Sequence, residues 1–443
     1  MGYNLSWGSD LSAEDPVLNH PVMRYQQGHA QLCQIQNIYS GANHTRFHHS
    51  GYAALIARRI SEHLERIERL EGSKKDIITA TKIHDIGHPP FSHAAEYVLS
   101  QYCRGLTHNE RALKLLDSDE KDQEGRTCCE VLEWLKISVP NLRKLLSKKD
   151  ASAKIFTDKT LGADKLAYTL MDAVQVGFDQ LPPDWQQLIP HLTFFDGELG
   201  LDCAREQSHF ENQVGMIYAI QQFYFRMYTE VYLSPLSLAY ERHLQKALDL
   251  SLRAGILDPF QVWNMADQVL LDRINNSVSG KSKGELNEKA KEVLNGYDKR
   301  CPFLPAVAFK YEQFKHNHLK GEAVAPLDED LKTKFLAAFQ NPLLLTDLET
   351  ELSTELGSPI LISVLPDPEK VKPTDVALYS GSRRVDSIKN QRPDHFSALE
   401  GLTRSFFAIR VLCPANQQEQ ISRQHQKVAE ILRTATEKHT KNH

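Results

Sequence analysis

The sequence predicts a mainly α-helical fold closed by a small α+β lobe. Three observations carry that prediction. From His49 onward apolar residues recur at helical spacing, and through residues 206–276 the amphipathic runs are long. Beyond about Gly357 the segments shorten, turn β-branched or aromatic, and are bounded by Gly, Pro and Asp.

Residues 1–45 read as a loop-rich N-terminal segment with a short helix around Met23 to Gln36. GYAALIARRISEHLERIERL then sets Tyr52, Leu55, Ile56, Ile60, Leu64 and Ile67 on one apolar stripe opposite Arg and Glu. KKDIITATKIHDIG is a second helix, stopped by Gly87 and Pro89-Pro90. HNERALKLLDS, CCEVLEWLKIS, ADKLAYTLMDAVQVG and QVGMIYAIQQFYFRMYTEVY follow as helices. SVSGKSKGE is a polar loop, and EAVAPLDED reads as a linker or turn. PILISVLP, DVALYSG and SFFAIRVLC have the pattern of strands before a closing helix. The segments group as 1–45, a core over 46–200, a helical extension completing a site over 201–340, and an α+β lobe over 341–443.

The chain has 443 residues, 41% hydrophobic and 25% charged, enough for a sizeable core. A net charge of −5 argues against a surface devoted to nucleic acid, without excluding a local basic pocket. Seven cysteines show no C-x-x-C spacing and no secretory segment is seen, which predicts a reducing, cytoplasmic setting. No run is long enough for a membrane span. MGYNLS fits the loose myristoylation pattern at Gly2, but no basic cluster accompanies it, so no membrane anchor is expected.

The informative stretch is KIHDIGHPPFSH, Lys82 to His93. His84, Asp85, His88 and His93 fall where a helix ends, and burying them unpaired would be costly. With His49 and Asp164, the pair His84-Asp85 makes a two-His, two-Asp set. It suits a divalent ion such as Mn, Fe, Co, Ni or Zn, less clearly Mg. Such a set leaves coordination positions open, as hydrolysis requires. One buried histidine alone is more often structural; four such residues in this order favour metal. His88, His93 and His108 can donate protons near pH 7, and His108 sits where a helix begins. Thr107 and His108 can also serve simply as a cap.

Asp164, Tyr168 and Asp172, at i, i+4 and i+8, share a helix face, with Lys165 beside them. A solvated Asp–Lys face explains the charges but not the tyrosine between the two carboxylates. A metal at one end and a polar ring at the other explains all three. Arg46, three residues before His49, is placed to clamp a phosphate.

H…HD…D is the signature of the HD phosphohydrolase superfamily, whose members include phosphodiesterases, nucleotidases and alarmone hydrolases. HTRFHHS, HDIGHPPFSHAAE, HNERAL and ADKLAYTLMDA together resemble a narrower group: the HD-domain deoxynucleoside triphosphate triphosphohydrolases, bacterial dGTPases and the vertebrate SAM- and HD-domain dNTPase. FYFRMYTEVYLSP, RCPFLPAVAFKY and the C-terminal strands extend the resemblance over most of the chain, while the vertebrate enzyme's separate SAM domain has no counterpart.

The resemblance implies an HD-domain helical core over 46–200 and a divalent metal held by His49, His84, Asp85 and Asp164. Arg46, His88, His93 and Lys165 would line the triphosphate. His108 would support catalysis, and Glu96 would orient a catalytic-side histidine. Tyr168 would crowd the sugar 2′ position, Asp172 would accept from the 3′-hydroxyl, and Tyr232 would stack on the base. The sequence departs from the pattern after Tyr232, where Leu233-Ser234-Pro235 replaces polar residues. It departs again at Tyr224, which stands where an arginine is expected, with Arg226 nearby.

The expected activity is hydrolysis of dNTP, dGTP among them, to deoxynucleoside and inorganic triphosphate. A nucleotide activator and a homo-oligomer, tetramer or hexamer, would accompany it. The rivals are an HD-type nuclease or phosphodiesterase, and a nucleotide sensor without turnover.

Overall fold

The computed structural model describes residues 15–179, 184–203, 207–277, 284–366 and 373–440. Gly2 and most of the polar loop that follows Ser277 lie outside them. The fold is mainly α, with two four-stranded sheets among the described residues. No described helix is long and apolar enough to cross a membrane.

The chain divides into two compact units. The first comprises residues 1–90, 106–227 and 373–397; the second comprises 91–105, 228–372 and 398–443. Pro373–Ser397, anticipated as part of a C-terminal lobe, is therefore built into the first unit.

In the first unit the central helix is Arg46–Arg66, capped by Thr45 with His48 reaching back to the cap. Tyr52, Ile56, Ile60 and Leu64 of the anticipated stripe are buried, and Leu55 and Ile67 are half-buried. They join Ile77, Ala80 and Ile83 of the Lys74–Ile83 helix and Leu166, Ala167 and Leu170 of the Ala163–Val176 helix in one core. Burying each large aliphatic side chain contributes about 1.5–3 kcal/mol, and Ile56→Ala would cost roughly 2–5 kcal/mol. Ser73 caps the second of these helices through the Asp76 N–H, and left-handed Gly177 ends the third at φ 79°.

The short helix expected over Met23–Gln36 is instead a Pro21–Arg24 turn followed by two 3₁₀ turns, Tyr25–Gly28 and Cys33–Asn37. The cause is long-range: Ala30 forms a β-bridge with Thr45, which requires extended backbone in mid-segment.

The first unit's sheet runs Leu192–Phe195, Glu198–Asp202, Ala377–Ser380, Arg383–Ser387. Its first two strands form a hairpin across Asp196-Gly197, both at positive φ (52° and 69°), the two-residue turn that matches strand twist. Glu198–Asp202 pairs parallel with Ala377–Ser380.

In the second unit the order is Ala323–Pro326, Leu304–Lys310, Ile409–Cys413, Leu361–Val364. Ala323–Pro326 falls in the segment read as a linker; it is a strand because Val324 and Ala325 pair in parallel with Ala308 and Phe309. Asp328 then caps the next helix, accepting from the Leu331 N–H at 2.7 Å. Beneath the sheet, the Pro235–Arg253 helix sends Arg242 bidentately to buried Glu349 at 2.7 and 3.1 Å, with Lys246 at 3.2 Å from the same carboxylate.

Candidate metal centre and its surroundings

The candidate ligands converge in the first unit. Arg46–Arg66 presents His49 from its first turn. Lys74–Ile83 ends so that His84 is its C-terminal cap and Asp85 follows, and Ala163–Val176 places Asp164 in its own first turn. His49 Nε2 lies 3.0 Å from Asp164 Oδ1 and 3.8 Å from Asp85 Oδ2. His84 Nε2 lies 3.3 Å from Asp85 Oδ1 and 3.4 Å from Asp164 Oδ1. The ligand atoms of His49, His84 and Asp85 all fall within 4.8 Å of one another.

The donor set fits a divalent ion. His84 Nδ1 donates to the Thr81 carbonyl at 2.7 Å, which fixes the ring with Nε2 toward the carboxylates. That Nε2 is buried and makes no hydrogen bond among the described residues. Two imidazole nitrogens against two carboxylates, with His49 and Asp85 buried and Asp164 partly open to solvent, form an arrangement that a cation would satisfy. Burial opposes charge on His84, yet Asp85 and Asp164 prevail and raise it to about 9. Burial likewise opposes the Asp85 carboxylate, and His84, Arg46, His88 and His49 hold it well below its ordinary value. Asp164 is lowered by His49 and His84 against its own burial.

Arg46, buried at the start of its helix, is paired with Asp85. His88 Nδ1 lies 3.2 Å from the Asp85 carbonyl, and its ring stacks on His108 at 4.1 Å with the planes 17° apart. His108 opens a helix whose Thr107 cap and Glu110 form a reciprocal capping box. The cap and the histidine thus coexist. Arg111, one turn on, donates to the carbonyls of Gly87 and His88, each at 3.1 Å, and ties that helix to the histidine loop.

On the Ala163–Val176 helix, Lys165 Nζ donates to the Tyr168 hydroxyl at 2.7 Å. It also sits 2.7 Å from the centroid of the Tyr224 ring. Burial drives the Lys165 ammonium well below its ordinary pKa, against the pull of Asp164. Asp172, two turns from Asp164, is buried and pairs with His44 at 2.7 Å. His44 was not singled out from sequence; the signal was the first histidine of HTRFHHS.

His93, Glu96 and Tyr232 belong to the second unit. His93 Nδ1 lies 3.0 Å from Glu96 Oε2 at the head of the His93–Tyr102 helix, with the His93 side chain 70% exposed. Before it, Phe91 and Ser92 both hold positive φ (55° and 51°), a conformation that costs non-glycine residues about 1–3 kcal/mol each. The buried Phe91 side chain and its N–H bond to Asp267 at 2.8 Å over-determine that backbone. Tyr232 ends a π-helical turn, Met227–Tyr232, with its ring 5.3 Å from that of Tyr228.

Comparison with known proteins adds the following. Residues 46–152 match the HD domain. An uncharacterized protein of Methanocaldococcus jannaschii is 23% identical over 353 residues, 79% of this chain and 65% of that protein. A Vibrio cholerae protein named deoxyguanosinetriphosphate triphosphohydrolase-like protein 2 is 36% identical over 108 residues, 24% of this chain and 25% of that one. The chain thus spans less than two thirds of the length of these curated relatives. Among solved structures, a hypothetical protein from Aquifex aeolicus superposes with a TM-score of 0.62 at 17% identity, over 92% of this chain and 93% of that one. A phosphohydrolase from Bacteroides thetaiotaomicron superposes with a TM-score of 0.58 at 18% identity, over 90% and 94%. At such identities these two share the fold.

Proposed function

We propose that this HD-domain chain is a metal-dependent deoxynucleoside triphosphate triphosphohydrolase, with dGTP among its substrates. The observation that carries the reading is the convergence of His49, His84, Asp85 and Asp164, with Lys165 and Tyr168 on the helix that carries Asp164. The HD domain and the name of the Vibrio relative support it.

A divalent ion, when bound by those four residues, supplies Lewis acidity that brings the ionisation of water close to neutral pH. The chain's own groups do the rest. Water adds to the α-phosphorus and the bond from that phosphorus to O5′ breaks, giving deoxynucleoside and inorganic triphosphate. Arg46 and Lys165 offset the negative charge that gathers there. The His88–His108 stack supplies the proton for O5′. Tyr168, held by Lys165, crowds the 2′ position and disfavours ribose, while Asp172 accepts from the 3′-hydroxyl. His93 with Glu96, and Tyr232, are assigned to catalysis and base stacking by the family resemblance. The same reading makes the protein a homo-oligomer, tetramer or hexamer, that takes a nucleotide activator. Light scattering with and without dGTP tests that part.

The test of the activity is chromatography of products after the manganese-reconstituted protein meets each dNTP, mixed dNTPs, or GTP, alongside Asp85→Ala. Deoxynucleoside plus triphosphate, lost in the variant and absent with GTP, is the expected result. A monophosphate product would replace the reading with phosphodiesterase or nuclease chemistry, and binding without turnover would replace it with a sensor.

A further inference from the structure

We infer that His44 is a positioning residue: its imidazole fixes the Asp172 carboxylate and thereby sets how strongly the protein selects nucleotides by their 3′-hydroxyl. This rests on the reading of Asp172 given under the proposed function.

His44 Nε2 lies 2.7 Å from Asp172 Oδ1, and the two residues are 5% and 2% exposed. They are 128 positions apart, so the fold, not local chain geometry, brings them together. The backbone around His44 is itself held. Gln31 N–H donates to the His44 carbonyl and Arg46 N–H to the His29 carbonyl, each at 3.0 Å, flanking the bridge between Ala30 and Thr45. The histidine is therefore aimed from a fixed strand-like segment, not from a free loop.

A carboxylate only accepts, so Nε2 carries the hydrogen in this pair. The ring's other nitrogen, Nδ1, is buried and has no hydrogen-bond partner among the described residues. The ring's recorded hydrogen bond is therefore spent on Asp172. The bond from His44 holds Oδ1 and so restrains the rotation of the carboxylate that the proposed function has accept from the 3′-hydroxyl. Asp172 shares its helix face with Tyr168, one turn away, and Asp164, two turns away. That places the restrained carboxylate on the side of the helix that the proposal assigns to the sugar. Without His44, the buried carboxylate loses a charge-assisted bond that restrains its orientation.

The alternative is that the pair merely staples the Ala30–Thr45 segment to the helix. A staple affects every substrate equally; a positioning residue affects only those with a 3′-hydroxyl.

The experiment compares kcat/KM for dGTP and for 2′,3′-dideoxy-GTP on the metal-reconstituted wild type, His44→Ala, His44→Phe and His44→Gln. Phe fills the ring's volume without a donor, and so decides the question if the alanine variant fails to fold. Wild type should prefer dGTP roughly tenfold or more, the worth of one hydrogen bond to a charged group. In His44→Ala and His44→Phe that preference should fall toward unity, chiefly through KM for dGTP. His44→Gln, which retains an N–H donor, should recover part of it. An unchanged preference in the donorless variants, or an equal loss on both substrates, would overturn the inference. Failure of the functional reading is distinct, since it appears in the wild type as no dGTP turnover. A wild type that turns over both nucleotides equally removes the role of Asp172 and, with it, that of His44.

Discussion

Gly87 is where this architecture leaves no room for even one carbon. A Cβ built on it would stand 1.8 Å from the His108 carbonyl oxygen, 2.6 Å from Ala112 N and 2.8 Å from His108 C. All three are backbone atoms of one helix, so no side chain can swing away. Ordinary contact begins at 3.4 Å, so 3.4 less 1.8 means the helix must retreat by about 1.6 Å. That retreat stretches both Arg111 bonds, now 3.1 Å, beyond hydrogen-bond range. Overpacking costs about 1–3 kcal/mol, and each bond to a charged donor about 1.5–3 kcal/mol. Gly87→Ala should therefore destabilise the His108–Leu115 helix by roughly 3 kcal/mol or more. Because His88 stacks on His108, the same shift misplaces a proposed proton donor, and about 1 Å of misplacement can cost 100-fold. The assay is hydrogen exchange over residues 108–115 together with kcat for dGTP. Gly215→Ala serves as control, since its Cβ meets nothing within 4 Å in a helix. It should be neutral or stabilising by about 0.5–1 kcal/mol. Wild-type exchange and turnover in Gly87→Ala would show that the helix accommodates a methyl group there.

Three further outcomes are expected. Asp85→Asn and Asp164→Asn should each lose stoichiometric metal by elemental analysis and lose turnover with it; full metal content in either would remove that residue from the ligand set. Tyr168→Ala should raise GTP hydrolysis relative to dGTP by about tenfold or more, and an unchanged ratio would end the tyrosine's role at the sugar. His243, fully buried between the Val293 carbonyl and the Phe303 N–H, is pushed down by burial to about 4. The unfolded chain takes up that proton near the usual value of about 6.5. Stability of the second unit is therefore full above pH 6.5 and falls as pH drops toward 4, by about 3 kcal/mol at roughly 1.4 kcal/mol per unit. Urea titration across that range should show the fall in wild type and not in His243→Gln; equal slopes would contradict it.

Much of the fold and of the site was legible because it is written in local spacing. The stripe on Arg46–Arg66, the helix stop before Gly87 and the shared face of Asp164, Tyr168 and Asp172 follow from periodicity within single segments. What stayed hidden depends on partners far along the chain. His44 gains meaning only from Asp172, and Ala30 is extended only because Thr45 pairs with it. Val324 is a strand residue only beside Ala308. Gly87 reads as a helix breaker in sequence, whereas its physical necessity is the backbone of the His108–Leu115 helix. The Asp196-Gly197 dipeptide is a turn signal, but its flanking strands are only four and five residues long, too short for alternation to mark a hairpin.

In the proposed reaction, water activated at the His49–His84–Asp85–Asp164 centre adds to the α-phosphorus of a dNTP. The most direct measurement is mass spectrometry of products formed from dGTP in ¹⁸O-water by the metal-reconstituted protein. The expected result is one heavy oxygen in inorganic triphosphate and none in deoxyguanosine. Heavy oxygen in deoxyguanosine, or a labelled dGMP with unlabelled pyrophosphate, would contradict it.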